Sequence, residues 1–284
     1  MRADLYLTQY GHAPSRTLAR KLIEDGAVTV DGRVLKKASE EIPEGEHTVS
    51  VAATDDTRFV GRGGLKLEAA LREFRINPEG LILADIGAST GGFTDCLLKQ
   101  GAALVFAVDA GHGQLHPTLR ENFRVRSAEG MNARSLTSAD LLEVDAAWRG
   151  EHPYAPNTPF SGLVDGIVMD VSFISQTYIH PVFRGLLREG GCAVTLIKPQ
   201  FEVGREHLGK HGIVREPKWR RAAVERVFEG ARAAGLVPVR FIRSPIEGGD
   251  GNVEYLALFR LTGEAADEGL DVSSLPTKLF EHTK

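Results

Sequence analysis

The spacing of apolar and polar positions predicts an α/β fold over residues 65–262. Short apolar runs of strand length alternate there with stretches in which apolar residues recur every three or four positions, as in amphipathic helices. Strands that alternate with helices are typical of a parallel sheet covered on both faces. Two later runs, Val237–Ile242 and Val253–Arg260, predict an antiparallel pair, so we expect an open, mostly parallel, seven-stranded Rossmann-like sheet. The predicted parallel strands are 81–86, 104–109, 123–126, 163–169 and 192–197.

The helices of this region are less evenly marked than the strands. One is predicted over 174–187, where Pro181 should kink the helix or begin it afresh, and another over 217–234. Residues 137–160 are less regular, and their prolines predict a surface loop at 150–160.

The turn after the first strand is a candidate ligand site. Small residues from Gly87 to Gly92 separate this strand from the helix that follows, and small residues let the backbone come close to a ligand. The second strand ends at Asp109, and an acid there can bind both hydroxyls of a ribose. The turn therefore predicts a nucleoside-cofactor site. An ordinary strand–loop–helix connection without a ligand is the alternative.

The glycine spacing differs from the dinucleotide-binding pattern G-x-G-x-x-G. Asp85, at the end of the first strand, would repel a pyrophosphate and suits a cationic cofactor better. S-adenosylmethionine carries an ammonium and a sulfonium. Asn132 follows the third strand, where the rim of an adenosine pocket is expected. The candidate cofactor-binding residues are Asp85, Gly87, Ala88, Ser89, Gly91, Gly92, Phe93, Asp109 and Asn132.

Composition and charge narrow the class of protein. The 284 residues are 42% hydrophobic and 25% charged, which is typical of a globular protein with a sizeable core. No apolar run is long enough to span a bilayer, the N-terminus does not resemble a secretory signal, and the two cysteines, Cys96 and Cys192, predict neither a disulfide framework nor a metal site. We therefore expect a cytoplasmic protein. The net charge of −4 requires any nucleic-acid binding to use a local basic surface.

Residues 1–57 predict a separate small α+β module. A short helix ends at Gly11, a second helix runs from Ser15 to Asp25, and Asp31-Gly32 is a strong hairpin pattern between two short strands. The segment SRTLARKLIEDGAVTVDGRVLKK resembles the S4-type RNA-binding domain, which implies binding of structured RNA. A solvated basic face without a ligand is the alternative. The candidate RNA-binding residues are Arg16, Arg20, Lys21, Lys36 and Lys37.

Several charged residues fall where strand ends should meet. In an open α/β sheet the carboxyl ends of the strands face the ligand crevice, and Asp170 and Lys198 follow two predicted parallel strands. Glu254 begins the last strand, and if that strand is antiparallel its start lies at the same edge. Lys66 can approach from the helix before the first strand. On its own, Lys66 is most simply interpreted as a solvated lysine, because a cation at a helix N-terminus is slightly unfavourable.

Five motifs in this order, DIGASTGGFTDCLL, AVDAGHGQL, MDVSFIS, LIKPQFEVG and GNVEY, resemble the TlyA family of hemolysin-A-type proteins. The resemblance covers residues 1–262 and implies a class I methyltransferase fold related to FtsJ-type RNA 2′-O-methyltransferases. It also implies a catalytic Lys-Asp-Lys-Glu tetrad at Lys66, Asp170, Lys198 and Glu254. Phe59 occupies a linker position where tryptophan is expected, and an insert at 145–160 departs from the family pattern.

The resemblance implies S-adenosylmethionine-dependent 2′-O-methylation of ribosomal RNA in ribosomal subunits, with cytidine as the target. In this interpretation Lys198 deprotonates the hydroxyl, Asp170 and Glu254 hold Lys198, and Lys66 holds the nucleotide. A non-enzymatic ribosome assembly factor and a membrane-lytic protein are the alternatives. The segment after Lys198, up to Gly212, is either a lid over the target nucleotide or a flexible loop. Phe173 is either a base-stacking residue or part of the core.

The predicted domain organisation follows from these patterns. We expect an RNA-binding domain at 1–57, a linker at 58–64 and a methyltransferase domain at 65–262. A polar tail at 263–284 completes the chain, and Leu275 and Leu279–Phe280 are the parts of it expected to dock.

Overall fold

The computed structural model describes two compact units, Met1–Phe59 and Val60–Lys284, which we call the small unit and the large unit. The boundary lies inside the predicted linker 58–64, whose last two residues already belong to a helix. The described residues are 1–52, 54, 57–156, 158–249, 251–261 and 269–281.

The small unit contains two helices and a three-stranded antiparallel sheet of order β2-β1-β3. Ser15 caps the second helix by accepting a hydrogen bond from the Leu18 N–H at 3.2 Å. The predicted hairpin is present, with Asp31 and Gly32 both at positive φ, which an Asp-Gly turn favours. Its elements are α1 (Ala3–Gln9), α2 (Arg16–Glu24), β1 (Val28–Val30), β2 (Arg33–Val34) and β3 (Val49–Val51).

The large unit is built on a seven-stranded sheet of order β6-β5-β4-β7-β8-β10-β9 in the described part of the chain. The first five strands of this unit pair in parallel, and β10 lies between β8 and β9, antiparallel to both. This arrangement confirms the predicted fold class. The strands are β4 (Ile82–Ile86), β5 (Leu104–Asp109), β6 (Val125–Glu129), β7 (Val164–Met169), β8 (Leu187–Ile197), β9 (Leu236–Arg243) and β10 (Tyr255–Leu261).

Helices cover both faces of this sheet, which explains why its central strands are continuous apolar runs. All five residues of β4 are buried, as in strands covered on both faces. Four phenylalanines, Phe106, Phe183, Phe228 and Phe259, are fully buried in the core. The helices are α3 (Gly63–Phe74), α4 (Gly92–Lys99), α5 (Pro117–Arg120), α6 (Ser138–Glu151), α7 (His180–Leu186), α8 (Pro199–Glu202) and α9 (Pro217–Ala233).

The helix α6 lies in the segment 137–160, which the sequence shows as less regular and for which no helix was predicted. Thr137 Oγ1 accepts a hydrogen bond from the Asp140 N–H at 3.3 Å, and the Asp140 carboxylate accepts one from the Thr137 N–H at 2.8 Å. This capping box begins the helix. Only Leu141 and Asp145 of α6 are buried, so the helix has almost no periodic apolar pattern from which it could be predicted.

Smaller differences concern the ends of elements. The third parallel strand begins at Val125 rather than at residue 123, and Phe123 is half exposed. The strand β8 begins five residues earlier than predicted, at Leu187, with an irregularity in its pairing to β7. Pro181 lies in the first turn of α7, so it begins a helix afresh.

Part of the C-terminal segment packs against the large unit. Phe280 is buried among Phe241 and Tyr255, and Leu275 and Leu279 lie partly buried against the core, as expected of them. Residues 263–268 and 282–284 of the predicted tail lie outside the described residues. Among the described ranges no helix is both long enough and apolar enough to cross a membrane.

The capping box predicts the contribution of Thr137 to stability. Thr137→Ala removes the oxygen that accepts the Asp140 N–H, which should lower the free energy of unfolding of the large unit by about 1 kcal/mol. Urea denaturation followed by circular dichroism measures the change. Ser138→Ala, at the next position, is the control and should cost less than about 0.5 kcal/mol. Equal losses in the two variants would contradict this account of α6.

Candidate active site

Among the described residues, three clefts open at the carboxyl ends of the parallel strands, near β4, which has β5 as its neighbour on one side and β7, the strand that follows β6 in sequence, on the other. A strand order that reverses in this way forms a crevice at which α/β proteins bind ligands. We name the clefts after one residue or residue type each: the Asp109 cleft, the glycine cleft and the Phe201 cleft.

The Asp109 cleft has a volume of about 410 Å³. Asp109 ends β5, and its carboxylate accepts backbone hydrogen bonds from Ser89 at 2.8 Å and from Gly111 at 2.7 Å. Asn132 lies on the wall, just after β6. Of the predicted cofactor residues, Gly87, Ser89, Asp109 and Asn132 line this cleft.

The glycine cleft, of about 200 Å³, lies against the loop between β4 and α4. Gly87 has a φ of +83°, and a Cβ atom there would lie 2.6 Å from the carbonyl oxygen of Asp170, so the close packing of this loop requires glycine. Gly91, at the N-cap of α4, also has positive φ, and a Cβ atom added there would clash with the Leu119 side chain. Gly91 therefore shapes the loop and is not among the residues that line the cleft. The predicted cofactor residues that line it are Gly87, Ala88, Ser89, Gly92 and Phe93.

Asp85 does not line any of the three clefts. It is fully buried, and its Oδ2 accepts hydrogen bonds from the Thr94 N–H at 2.8 Å and the Thr94 hydroxyl at 2.7 Å, at the N-terminus of α4. Its Oδ1 has no hydrogen-bond partner among the described residues. Burial raises the pKa of Asp85 to about 7. Direct contact between Asp85 and a cofactor stays a prediction, and the observed contacts are those of a helix cap.

The four residues of the predicted tetrad form two ion pairs. Lys198 Nζ lies 2.7 Å from Asp170 Oδ1 and donates a hydrogen bond to Ser172 Oγ, also at 2.7 Å. Asp170 and Lys198 follow β7 and β8, which are neighbouring parallel strands, so the topology brings them together. This junction adjoins the clefts, because Ser172 lines all three and Lys198 lines two of them.

The second pair joins Lys66 of α3 to Glu254, which precedes β10. Both side chains are buried, and the Lys66 ammonium donates a hydrogen bond to Glu254 Oε2. The interpretation of Lys66 as a solvated lysine is therefore wrong. Burial raises the pKa of Glu254, and the nearby Lys66 ammonium opposes this shift. Glu254 lines the Phe201 cleft, and Lys66, its partner, is not among the lining residues.

The Phe201 cleft has a volume of about 310 Å³ and an aromatic edge. Phe173 is 92% exposed and has a φ of +65°, in the left-handed region that few residues other than glycine adopt. Because its side chain is so exposed, the alternative that Phe173 belongs to the core is wrong. The ring of Phe173 lies 5.2 Å from that of Phe201. An exposed aromatic ring held in a strained conformation next to a cleft is typical of a binding residue.

The segment after Phe201 contains two short 3₁₀ turns, Arg205–His207 and Lys210–Gly212. The ring of His207 stacks on that of Trp219 at 3.4 Å, which attaches this segment to α9. His211 and Gly212 line the Phe201 cleft. Lid movement of this segment stays a prediction.

Three basic residues of the small unit converge on one carboxylate. Asp4 is fully buried and forms ion pairs with Arg2 at 3.0 Å, Arg16 at 3.0 Å and Arg20 at 2.9 Å. These contacts hold the pKa of Asp4 well below its usual range, with the Arg2 hydrogen bond as the largest cause. The three guanidinium groups keep about half of their side-chain surface exposed. Three further predicted RNA-binding residues, Lys21, Lys36 and Lys37, are exposed.

Sequence reasoning missed three residues that organise these contacts. Asp4 was not predicted to have a role, although an acid in the short helix that precedes a basic helix could have indicated one. Ser172 was quoted within MDVSFIS and given no function, although a hydroxyl two residues after Asp170 lies within reach of the same ligand. Glu202 was quoted within LIKPQFEVG and also left unassigned.

The chain is similar to known proteins along most of its length. A family model described as FtsJ-like methyltransferase matches residues 59–261, and one described as S4 domain matches residues 1–47. The chain is 38% identical over 266 residues to the 16S/23S rRNA (cytidine-2′-O)-methyltransferase TlyA of Mycobacterium tuberculosis, covering 93% of this chain and 91% of that protein. The chain belongs to the TlyA family of FtsJ-like methyltransferases. The predicted enzyme class, a methyltransferase, is thereby confirmed.

Other members of the TlyA family bear the hemolysin name. Hemolysin A of Brachyspira hyodysenteriae is 39% identical over 259 residues, covering 91% of this chain and 99% of that protein. A solved structure of a hemolysin-named protein from Streptococcus thermophilus superimposes with a TM-score of 0.71 at 37% identity, covering 99% of this chain and 94% of that one. Similarity over nearly the whole of both chains supports the fold described above.

S-adenosylmethionine is the cofactor of an FtsJ-like methyltransferase, as the sequence predicts, and the residues present fit it. The Asp109 carboxylate ends β5 at the edge of a cleft large enough for a nucleoside, where it can accept hydrogen bonds from ribose hydroxyls. The adjoining loop comes close to the cleft because Gly87 has no side chain. A buried carboxylate, Asp85, lies behind this loop, and its charge would favour a cationic ligand.

Asp85 also predicts how stability depends on pH. Its pKa is higher in the folded protein than in the unfolded chain, so the unfolded chain loses this proton first as the pH rises. The free energy of unfolding should therefore fall between about pH 4 and pH 7 and level off above that range. Asp85→Asn, which stays neutral and can still accept the Thr94 hydrogen bonds, should reduce this fall by up to about 4 kcal/mol. Urea denaturation at a series of pH values measures both proteins. Parallel pH profiles for the two would contradict the assignment.

Proposed function

We propose that this chain transfers the methyl group of S-adenosylmethionine to a ribose 2′-hydroxyl of ribosomal RNA. The observation that carries this proposal is the position of Lys198, which lines both the glycine cleft and the Phe201 cleft and lies 2.7 Å from Asp170 Oδ1 and from Ser172 Oγ. A basic nitrogen held between a cofactor cleft and a second cleft suits proton removal from a hydroxyl that is being methylated.

The chemistry follows from these contacts. When bound, the cofactor supplies a methyl group on a positively charged sulfur. The residues of the Asp109 and glycine clefts would hold the cofactor, and the target ribose would enter from the Phe201 cleft. Lys198, whose ammonium must first give one proton to solvent, would then accept the proton of the 2′-hydroxyl as the 2′-oxygen takes up the methyl group, while Asp170 and Ser172 orient the lysine nitrogen. The product is a 2′-O-methyl ribose, and the neutral thioether is the leaving group.

The ion pair of Lys66 and Glu254 affects the charge of the Phe201 cleft, where the target ribose would enter. Lys66 balances the charge of Glu254 at the wall of the Phe201 cleft, so that the cleft presents little net negative charge to an RNA strand. Phe173, exposed at the junction of the Asp109 and Phe201 clefts, offers a flat surface on which the base of the target nucleotide can stack.

Ribosomal RNA is the proposed substrate because relatives that match nearly the whole of this chain are named as rRNA methyltransferases. The Mycobacterium tuberculosis relative is named for cytidine methylation of 16S and 23S rRNA, and a Campylobacter jejuni relative, 29% identical, for cytidine methylation of 23S rRNA. We propose cytidine as the target of this chain also, within an assembled or partly assembled ribosomal subunit. Such a substrate implies action in the cytoplasm.

The small unit supplies RNA affinity in this proposal. Its match to the S4 domain and the exposed sides of Arg2, Arg16 and Arg20 suit contact with phosphates. The shared carboxylate of Asp4 fixes the three guanidinium groups before RNA arrives, which lowers the entropic cost of binding. Because the whole chain has a net charge of −4, this local surface must provide the attraction.

Lys198→Ala tests the catalytic role. Removing the amine should lower transfer of labelled methyl groups to isolated ribosomal subunits by about 100-fold or more, because general-base assistance is lost. Cofactor affinity, measured by calorimetry, should change little. Lys278→Ala, an exposed lysine in the C-terminal segment, is the matched control and should retain activity.

The outcomes separate the candidate functions. Methylated ribose in the wild type alone supports the enzyme and the role of Lys198 together. Wild-type activity in Lys198→Ala would refute that role. Absence of label in the wild type on subunits and on free rRNA, despite cofactor binding, would favour the assembly-factor alternative.

The RNA-binding role of the small unit has its own test. Arg16→Ala and Arg20→Ala should each weaken binding to ribosomal RNA, and each should reduce the slope of log affinity against log salt concentration by about 1. Filter binding at several salt concentrations measures the slope. Arg72→Ala, which removes an exposed arginine from the large unit, is the control. An unchanged slope in both small-unit variants would rule out phosphate contacts at these positions.

A further inference from the structure

The carboxylate of Glu202 connects the two segments that carry the Lys198 junction. Glu202 ends α8, four residues after Lys198, and its side chain is buried. Its Oε2 accepts a hydrogen bond from the Ser175 hydroxyl at 2.5 Å, and its Oε1 accepts one from the Gln176 backbone N–H at 3.0 Å. Ser175 and Gln176 lie five and six residues after Asp170. One carboxylate therefore ties the segment after β8 to the segment after β7.

A second set of bonds fixes the same segments to the sheet. The side chain of Gln176 accepts a hydrogen bond from Thr195 Oγ1 at 2.6 Å and donates one to the Leu196 carbonyl at 3.4 Å, and both partners belong to β8. On the other side, Arg226 of α9 donates to the Glu202 carbonyl at 3.1 Å. The bridge therefore rests on a strand and a long helix, so its geometry is well defined.

The cost of burying the Glu202 carboxylate indicates that its hydrogen bonds have a specific role. The described partners of the Glu202 carboxylate are a hydroxyl and a backbone N–H, and burial raises its pKa. Filling the same space with an apolar side chain would avoid the desolvation of a carboxyl group. A polar group in this position is better explained by the directed bonds that it makes than by packing.

The bridge lies beside the strained part of the site. Phe173, with its positive φ, lies two residues before Ser175, and its ring contacts that of Phe201, the residue before Glu202. A backbone held in this conformation persists only when neighbouring contacts fix it. The bonds to Glu202 are contacts of this kind, because they hold the chain on both sides of the ring pair.

We propose that Glu202 is a positioning residue that fixes the segments after β7 and β8 relative to each other and so sets the position of Lys198 for methyl transfer. This inference rests on the proposed function. It concerns kcat rather than cofactor affinity, because the Asp109 cleft is lined by other segments as well, after β5 and β6. A displacement of about 1 Å at the reacting groups can cost about 100-fold in rate.

Glu202→Gln and Ser175→Ala test the bridge. The glutamine keeps the shape but replaces one acceptor oxygen by an amide NH₂ group, and the alanine removes the hydroxyl donor. Methyl transfer to ribosomal subunits should show kcat reduced about tenfold or more in Glu202→Gln and by a smaller factor in Ser175→Ala. KM for S-adenosylmethionine should stay within about twofold of wild type in both. The double variant should be no slower than Glu202→Gln, because both changes break one connection.

Asp165→Asn provides the matched control for stability. Asp165 also joins distant segments, since it accepts the Ile82 N–H at 2.8 Å and an Arg188 hydrogen bond at 2.6 Å, but it is the second residue of β7, away from the carboxyl edge. Asp165→Asn should lower the melting temperature without lowering kcat by more than about twofold. If Asp165→Asn and Glu202→Gln lost kcat in proportion to stability, Glu202 would be only a structural residue and the inference would be overturned.

The proposed function and the inference fail in different ways. A wild type that transfers no methyl group refutes the function. A wild type that transfers methyl groups at the same kcat as both Glu202→Gln and Ser175→Ala refutes the inference alone. A crystal structure of Glu202→Gln decides the inference independently of activity. Lys198 Nζ displaced from Asp170 or Ser172 supports it, and Lys198 Nζ still 2.7 Å from both Asp170 Oδ1 and Ser172 Oγ overturns it.

Discussion

The ion pair between Lys198 and Asp170 is the contact on which the candidate site depends. It joins the ends of two adjacent parallel strands, and the three clefts meet around it. Partly buried charges are costly to remove from water, and they are retained here because each has a charged or polar partner within bonding distance. Ser172 supplies the third member of this contact. Parallel strands bring these groups together because each strand ends at the same edge of the sheet.

Strands and turns were the most predictable parts of the fold. The predicted bounds of β5, 104–109, match those observed, because a strand buried on both faces is a continuous apolar run with clear ends. The Asp-Gly hairpin is present because only a few residues adopt the positive φ angles that it needs. The helix α6 was missed because so little of it is buried. Its capping box, Thr137-Ser138-Ala139-Asp140, was the available pattern, and it was overlooked.

The site was predictable as a set of residues but not as a set of contacts. Lys66 and Glu254 are 188 positions apart in sequence, and no local pattern shows that they pair. The convergence of three arginines on Asp4 depends on how the two helices pack. The position of Asp85 behind the loop, and not in a cleft, depends on the direction of one side chain in a strand buried on both faces. These features follow from tertiary packing, which periodicity and spacing do not report.

The docked C-terminal segment has a consequence for proteolysis and for shortened versions of the chain. Arg220 donates a hydrogen bond to the Phe280 carbonyl at 2.7 Å, and Arg221 donates to the carbonyls of Val272 and Leu275. A protease cut after β10 would release the segment that satisfies these buried donors. It would also uncover the aromatic surface formed by Phe241 and Tyr255. A fragment that stops at the last strand would thus contain every cleft-lining residue described above. It would nevertheless expose an apolar patch, and such patches promote self-association.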